Sequence, residues 1–161
     1  MESTTQQHIW QVLQTVHDPE IPVLSIVDMG IVRTVEMNST EVIITITPTY
    51  SGCPAMDMIS MQIRMALLEA GYKNIVLKQI LSPAWTTDWI TQEGKDQLKA
   101  YGIAPPVGKS ADAIFLTELT IECPQCNSTK TELVSQFGST ACKALYKCND
   151  CKEPFDYFKC H

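Results

Sequence analysis

The sequence predicts an α+β fold, in which helices cover one face of a small sheet and a small β ribbon follows. The first observation is the order of hydrophobic periods, which alternate between helix and strand over about the first hundred residues. The second is a pair of closely spaced cysteine motifs near the end of the chain. A length of 161 residues suits one ordinary domain and a small one. We predict a first domain over residues 1–103, a linker over 104–116 and a ribbon over 117–161.

The elements of the first domain follow from apolar spacing and from the positions of glycine and proline. They are a helix capped by Ser3 or Thr4, strands over 31–36 and 41–48 joined by a turn at Asn38-Ser39, a helix over 55–70, a strand over 74–81 and a helix over 91–101 closed by Gly102. The second helix carries a wide apolar stripe that includes Met58, Met65 and Leu68. We therefore expect a sheet to cover this helix.

The ribbon is predicted from the pairs Cys123-Pro-Gln-Cys126 and Cys148-Asn-Asp-Cys151, which stand 21 residues apart. Each pair can bend into a knuckle that directs both sulfurs at one point, and four thiolates suit a tetrahedral zinc ion. Two disulfides or four unliganded thiols are the alternatives. A segment this small buries little apolar surface, so we expect zinc to contribute to its folding. We expect three ribbon strands, over 131–136, 141–147 and 155–160.

Composition excludes several classes of protein. The net charge is −6 and the isoelectric point about 5.0, which disfavours binding to nucleic-acid phosphates. No apolar run reaches membrane-spanning length, and the N-terminus lacks the pattern of a signal peptide. Four of the seven cysteines have metal-site spacing, which indicates a reducing cytoplasm rather than a disulfide framework.

Cys53 is the candidate reactive residue of the first domain. It follows Gly52 and precedes Pro54, which is well placed to begin the helix. A cysteine at a helix N-terminus is favoured as a thiolate, and so as a nucleophile or a soft-metal ligand. Burial as a small apolar residue is the alternative. None of the three histidines is placed to act as a base for a cysteine hydrolase.

Two further features have both a structural and a functional interpretation. Asp18 and Glu20 lie in a proline-rich loop, where they could bind metal or a basic partner, or cap turns. Trp85 and Trp89 lie in a connector, which indicates either core packing or a surface that a partner covers.

Cys142 and Cys160 are left over from the zinc pattern. If the second knuckle turns the chain at Cys151, residues whose numbers sum to about 302 face each other, and these two cysteines meet that condition. They could ligate a second metal with His161 or form a redox-sensitive pair. Packing in the ribbon core is the alternative, and a register shift of one residue would separate the two sulfurs.

Several motifs resemble known families. The segments concerned are Asp18-Pro-Glu-Ile-Pro-Val-Leu-Ser25, Asp28-Met-Gly30 and Thr47-Pro-Thr-Tyr-Ser-Gly-Cys53-Pro54. They resemble the SufT-type iron–sulfur assembly domain over residues 8–102. Three more segments resemble the D-protein (PaaD) family of bacterial phenylacetyl-CoA epoxidase systems over nearly the whole chain. These are Pro83-Ala-Trp-Thr-Thr-Asp-Trp89, Phe137-Gly-Ser-Thr-Ala-Cys-Lys-Ala-Leu-Tyr146 and Glu153-Pro-Phe-Asp-Tyr-Phe-Lys-Cys160.

The resemblance implies a non-catalytic factor that matures a multicomponent di-iron monooxygenase in aerobic phenylacetate degradation. It implies transient iron or an iron–sulfur cluster as cargo, with Cys53 as candidate ligand and Asp18 and Glu20 beside it. The implied partners are the reductase and oxygenase components of the epoxidase. A stoichiometric interaction subunit, an enzyme with a Cys53 nucleophile and a nucleic-acid-binding ribbon are the competing functions. A homodimer would let two Cys53 thiolates share one cluster.

Overall fold

The computed structural model describes residues 4–107 and 119–159. The chain forms two compact units, which divide between Trp85 and Thr86. In the described ranges, no helix combines the length and the apolar character that crossing a membrane requires.

The first unit has the predicted order of two helices and three strands. Its elements are α1 (Thr4–Gln14), β1 (Val32–Met37), β2 (Val42–Ile46), α2 (Ala55–Glu69) and β3 (Ile75–Gln79). The sheet order is β1-β2-β3, with β1 antiparallel to β2 and β2 parallel to β3. The Asn38 side chain accepts backbone hydrogen bonds from Thr40 and Glu41, which builds the predicted turn between β1 and β2.

Only one side of α2 is buried, and the prediction that its whole stripe is covered is wrong. Met56, Ile59, Ile63 and Leu67 are buried toward the core. Met58, Met65 and Leu68 are exposed by 45%, 52% and 54%. A helix packed on one layer buries one face, and the remaining methionines and leucine therefore lie on the opposite face.

The second unit contains more than the predicted ribbon. After a 3₁₀ turn at Thr87–Trp89 it comprises α3 (Gln92–Tyr101), β4 (Ile103–Ala104), β5 (Thr131–Ser135), β6 (Lys143–Cys148) and β7 (Pro154–Phe158). The sheet order is β4-β7-β6-β5, and the last three strands occupy the predicted ribbon positions. Helix α3 ends where expected, because Gly102 adopts the left-handed conformation (φ 97°) that closes a helix.

The short strand β4 explains where the compact units divide. Ile103 pairs with Asp156 and Ala104 with Tyr157, so backbone hydrogen bonds tie the end of α3 to the ribbon. Helix α3 and β4 therefore belong to the compact unit that begins at Thr86, whereas the domain boundary predicted from sequence lies at 103/104. Ala104, assigned to the linker from sequence, lies in a strand, and residues 108–116 of that linker lie outside the described residues.

One hydrophobic cluster of the second unit includes a cysteine from each pair. Its buried residues are Ala104, Ile121, Cys123, Ala144, Tyr146, Cys148, Phe155 and Tyr157. The Tyr146 ring stacks on Phe155 and meets the ring of Tyr157 edge-on, with centroids 5.9 and 5.7 Å apart. The ribbon thus combines a small aromatic cluster with the cysteine site.

Candidate metal centre and the Cys53 loop

The four ribbon cysteines converge as predicted. The Sγ atoms of Cys123 and Cys151 are 3.7 Å apart and those of Cys126 and Cys148 are 3.6 Å apart. All four sulfurs lie within 4.8 Å of one another. A tetrahedral zinc ion with zinc–sulfur bonds of about 2.3 Å would place its ligands about 3.8 Å apart. The sulfurs therefore already have the spacing of a tetrahedral metal site.

Local backbone geometry builds the two knuckles in the same way. The residue after each second cysteine is left-handed, with φ 60° at Asn127 and 69° at Lys152. In the first knuckle the Asn127 N–H donates to the carbonyl of Cys123 at 2.9 Å. The Ser128 hydroxyl donates to the Asp150 carboxylate at 2.5 Å and so joins one knuckle to the other. This bond fixes the position of one cysteine pair relative to the second.

The electrostatics of the sulfurs favour a bound cation. The backbone N–H groups of Cys151 and Asp150 lower the pKa of the Cys148 thiol to about 6. At Cys151 the N–H of Glu153 favours the thiolate, but burial and the neighbouring thiols raise the pKa to about 12. Four sulfurs this close cannot all be anionic without a cation between them. A divalent metal removes that repulsion and allows four thiolates.

Cys53 lies at the beginning of α2, as predicted. Its carbonyl accepts a hydrogen bond from the N–H of Met56 at 3.3 Å, and Pro54 already has helical angles (φ −69°, ψ −20°). Cys53 is half-buried rather than sealed in the core. The Thr49 hydroxyl lies 3.9 Å from its sulfur, within the range of a weak hydrogen bond. Gly52 has φ 77°, a left-handed turn that a glycine adopts without strain.

Asp18 acts as a turn residue. It is 4% exposed, and its Oδ1 accepts hydrogen bonds from the backbone N–H groups of Glu20 at 2.7 Å and Ile21 at 3.1 Å. Among the described residues, the ribbon cysteines are the one group of three or more potential metal ligands whose donor atoms converge. The structure therefore does not assemble Cys53, Asp18 and Glu20 into a preformed ligand set.

Sequence reasoning missed a polar network under the same loop. Asp28 is 5% exposed, and its carboxylate accepts hydrogen bonds from Gln14 and from the hydroxyl of Ser25. Ser25 in turn accepts from Gln14 at 2.9 Å. The sequence signal was the position of Ser25 and Asp28 in the motifs that resemble the assembly domain. Their hydrogen bonds show that these motif residues hold the loop to α1.

The two connector tryptophans differ. Trp85 is 3% exposed and donates its indole N–H to the carbonyl of Met29 at 2.9 Å. Core packing, one of the two interpretations from sequence, is therefore what the structure shows for Trp85. Trp89 is half-buried in the 3₁₀ turn of the second unit.

The predicted register of the ribbon hairpin is wrong by one residue. Lys143 pairs with Phe158, so facing residues sum to 301 rather than 302. Cys142 is buried and accepts a backbone hydrogen bond from Lys159, at 3.0 Å. Its neighbour across the hairpin is therefore Lys159 rather than Cys160, which lies outside the described residues. Among the described residues, no second cysteine lies opposite Cys142 in this register.

Comparison with known proteins covers both parts of the chain. A model of the iron–sulfur cluster assembly protein family matches residues 6–73, and a model of the PaaD zinc beta ribbon domain matches residues 109–159. An Escherichia coli (strain K12) protein, named as a component of 1,2-phenylacetyl-CoA epoxidase, is 50% identical over 152 residues. The match covers 94% of this chain and 91% of that protein. The chain belongs to the PaaD family.

More distant relatives match somewhat more than half of this PaaD-family chain. A Porphyromonas gingivalis protein named Fe-S protein maturation auxiliary factor is 33% identical, over 58% of this chain and 90% of its own length. A solved structure from Bacillus anthracis, a domain of unknown function called DUF59, has a TM-score of 0.54 at 25% identity, over 58% of this chain and 90% of its own. A conserved hypothetical protein of Thermotoga maritima, with a TM-score of 0.51 at 23% identity, covers 61% of this chain and 97% of its own. These structures confirm the predicted α+β fold of the first domain.

Proposed function

We propose that this PaaD-family chain is a cytoplasmic, non-catalytic maturation factor for a phenylacetyl-CoA epoxidase. In this proposal it passes iron or an iron–sulfur cluster to the reductase or the di-iron oxygenase component. The name of the Escherichia coli relative supports a role with the epoxidase. The name of the Porphyromonas gingivalis relative supports a role in the maturation of iron–sulfur proteins. The family models support an assembly-type domain joined to a ribbon.

The half-buried sulfur of Cys53 carries the proposal. A hand-off ligand must be reachable from outside and must bind its cargo loosely enough to release it. Cys53 stands on a glycine-flanked loop and is partly exposed, whereas Cys142 is buried. Asp18 and Glu20 form an ordered turn of their own and are not ligands already assembled with Cys53.

The buried hydroxyl of Thr47 is a second feature of this loop. Its Oγ1 has no hydrogen-bond partner in the part of the chain that the structure describes. Leaving a buried hydroxyl unpaired costs about 1–3 kcal/mol, so proteins seldom keep such a group without a reason. Thr47 begins the motif that contains Cys53 and ends at Pro54. A loop that changes conformation when it binds cargo would account for the unpaired hydroxyl.

The ribbon has a different role in this proposal. Four cysteine sulfurs that all bind one tetrahedral ion leave no open coordination position, which is typical of structural zinc. We assign zinc to Cys123, Cys126, Cys148 and Cys151. When bound, the ion fixes the two knuckles, and the Ser128–Asp150 hydrogen bond supports that arrangement. The cargo metal and the zinc therefore occupy separate sites.

The second candidate function is a stoichiometric, non-catalytic interaction subunit of the epoxidase. The exposed apolar residues of α2 favour it, because such surfaces commonly bind other proteins. This candidate predicts that Cys53→Ser is harmless and that the chain co-elutes with the oxygenase at a fixed ratio. A maturation factor acts at substoichiometric amounts.

The experiment compares epoxidase components produced without this chain, with the natural chain, with Cys53→Ser and with Ser51→Ala. The iron and acid-labile sulfide of the purified reductase and oxygenase are measured after anaerobic purification. Ser51 is exposed two residues from Cys53, so Ser51→Ala controls for disturbance of the loop. We expect one component to lack iron without the chain and with Cys53→Ser, and to be filled with Ser51→Ala. Full metal content with Cys53→Ser would reject delivery through this sulfur.

A further inference from the structure

The outer face of α2 carries a continuous apolar stripe. Met58, Met61, Met65 and Leu68 are exposed by 45%, 51%, 52% and 54%. Their spacing of three, four and three residues is that of the a and d positions of a coiled coil. The residues that α2 buries lie on the other side of the helix. The helix thus has one face for its own core and a second face with coiled-coil spacing.

We propose that a second copy of this chain covers the stripe and that the two α2 helices pack parallel and in register. The polar residues beside the stripe support a second copy. Asp57 and Arg64 flank one edge of the stripe, and Gln62 and Glu69 flank the other. In a parallel coiled coil, each residue on the first edge meets the residue five positions later on the second edge of its partner.

That rule matches complementary groups on both edges. Arg64 of one copy meets Glu69 of the second copy, which pairs a cation with a carboxylate. Asp57 of one copy meets Gln62 of the second, which can donate its amide N–H to the carboxylate. The two-fold axis makes each pair occur twice. One helix therefore carries both halves of every contact, as a self-complementary surface requires.

An open groove lies beside the edge of the stripe that carries Gln62 and Glu69, where Arg64 of the second copy would bind. Its volume is about 360 Å³, and it runs between the end of α1 and α2. Gln62, Met65 and Glu69 are among its lining residues. The Arg64 guanidinium donates one N–H to the carbonyl of Ile75 at 2.9 Å, which holds that side chain on the opposite edge. Arginine has further N–H donors with which to reach a partner carboxylate.

The parallel arrangement has a consequence for Cys53. Helix α2 spans 15 residues, or about 22 Å, and Cys53 lies just before its first turn. Parallel helices place both Cys53 loops at the same end of the dimer, whereas antiparallel helices would place them at opposite ends. This consequence rests on the proposed function, but the dimer itself does not. The stripe is short, so we expect an equilibrium that depends on protein concentration.

The test is sedimentation of the full-length, zinc-loaded chain over a wide range of concentrations. We expect reversible dimerisation for the natural chain and a monomer for Met61→Glu. Leu81→Glu is the matched control, because Leu81 is 58% exposed but lies outside α2. Both positions are on the surface, and circular dichroism confirms that each variant is folded. A natural chain that stays monomeric, or a dimer that Met61→Glu leaves intact, overturns the proposal.

A charge reversal tests the parallel register. Arg64→Glu should weaken dimerisation by about tenfold, because each interface then holds two pairs of like charges. Adding Glu69→Arg to Arg64→Glu should restore the affinity. Oxidation of Met65→Cys should cross-link two copies at position 65, as peptide mass spectrometry would show. A double variant as weak as Arg64→Glu, or no such cross-link, contradicts parallel pairing. If the chain stays monomeric and the stripe loses solvent accessibility only when an epoxidase component is added, a different protein covers the stripe.

Discussion

The Asp18 carboxylate accepts a hydrogen bond from the backbone N–H of Glu20 at 2.7 Å. A second bond, from Ile21 at 3.1 Å, occupies the same oxygen. Asp18 itself is 4% exposed. The first acid of the Asp-Pro-Glu motif therefore shapes the loop in which it lies.

Replacing Asp18 should destabilise the first unit. We expect Asp18→Ala to lower the free energy of unfolding by about 1–3 kcal/mol, because two backbone N–H groups lose their acceptor. Asp18→Asn keeps an acceptor oxygen and should cost less. Urea denaturation followed by circular dichroism measures both. Glu20→Gln is the control, since the backbone bond remains. Equal stability of Asp18→Ala and the natural chain would refute a turn role.

Removing one ribbon thiolate should release the structural metal. We expect Cys148→Ser to lose the single zinc equivalent and the fixed packing of the β6–β7 hairpin, because zinc binding is coupled to folding. Elemental analysis and near-ultraviolet circular dichroism measure the two effects. Cys53→Ser should keep its zinc. Retention of a full zinc equivalent by Cys148→Ser would contradict the four-cysteine site.

The hydrogen bond between the knuckles should control how fast zinc leaves. Ser128→Ala removes the donor to Asp150 and the acceptor of the Lys130 N–H, and it replaces none of the four cysteines. We expect zinc to transfer to a colorimetric chelator about tenfold faster, since groups that orient ligands affect metal affinity on that scale. Thr129→Ala, one residue further and exposed, is the control. Identical release rates for the two variants would show that the bond is dispensable.

The left-handed turn before Cys53 should matter for transfer as well as stability. Gly52→Ala meets no atom within 4 Å, but φ 77° strains any side chain by about 1–2 kcal/mol. Gly71→Ala is the matched control, because Gly71 also has no atom within 4 Å and has a φ of 97°. A side chain there is strained to a similar degree, but the position is 18 residues from Cys53 in the sequence. We expect both variants to lose stability and only Gly52→Ala to lose iron transfer. Equal iron transfer by the two variants would show that the turn at Gly52 is not required for transfer.

Local rules predicted most of the elements and the convergence of the four ribbon cysteines. Asn38 formed its turn, Gly102 ended α3 and the cysteine pairs converged, because each depends on a few neighbouring residues. These features are encoded in short segments, where glycine, proline, asparagine or cysteine has a specific geometric role.

Long-range packing was harder to infer. The apolar pattern of α2 did not distinguish buried Met56 from exposed Met58, because both fit a wide stripe and only the tertiary fold selects the core face. The ribbon register was wrong by one residue, since where the turn centres cannot be read from the knuckle spacing. The pairing of β4 with β7 joins residues more than fifty positions apart and left no local signal.

The central claim is that Cys53 holds cargo metal while the ribbon holds a separate ion. Its most direct measurement is the iron and zinc content of the full-length chain, purified without air and supplied with ferrous iron and sulfide. We predict that the natural chain binds iron beyond its one zinc, and that Cys53→Ser binds no iron and keeps its zinc. Equal iron in the two proteins would contradict the account.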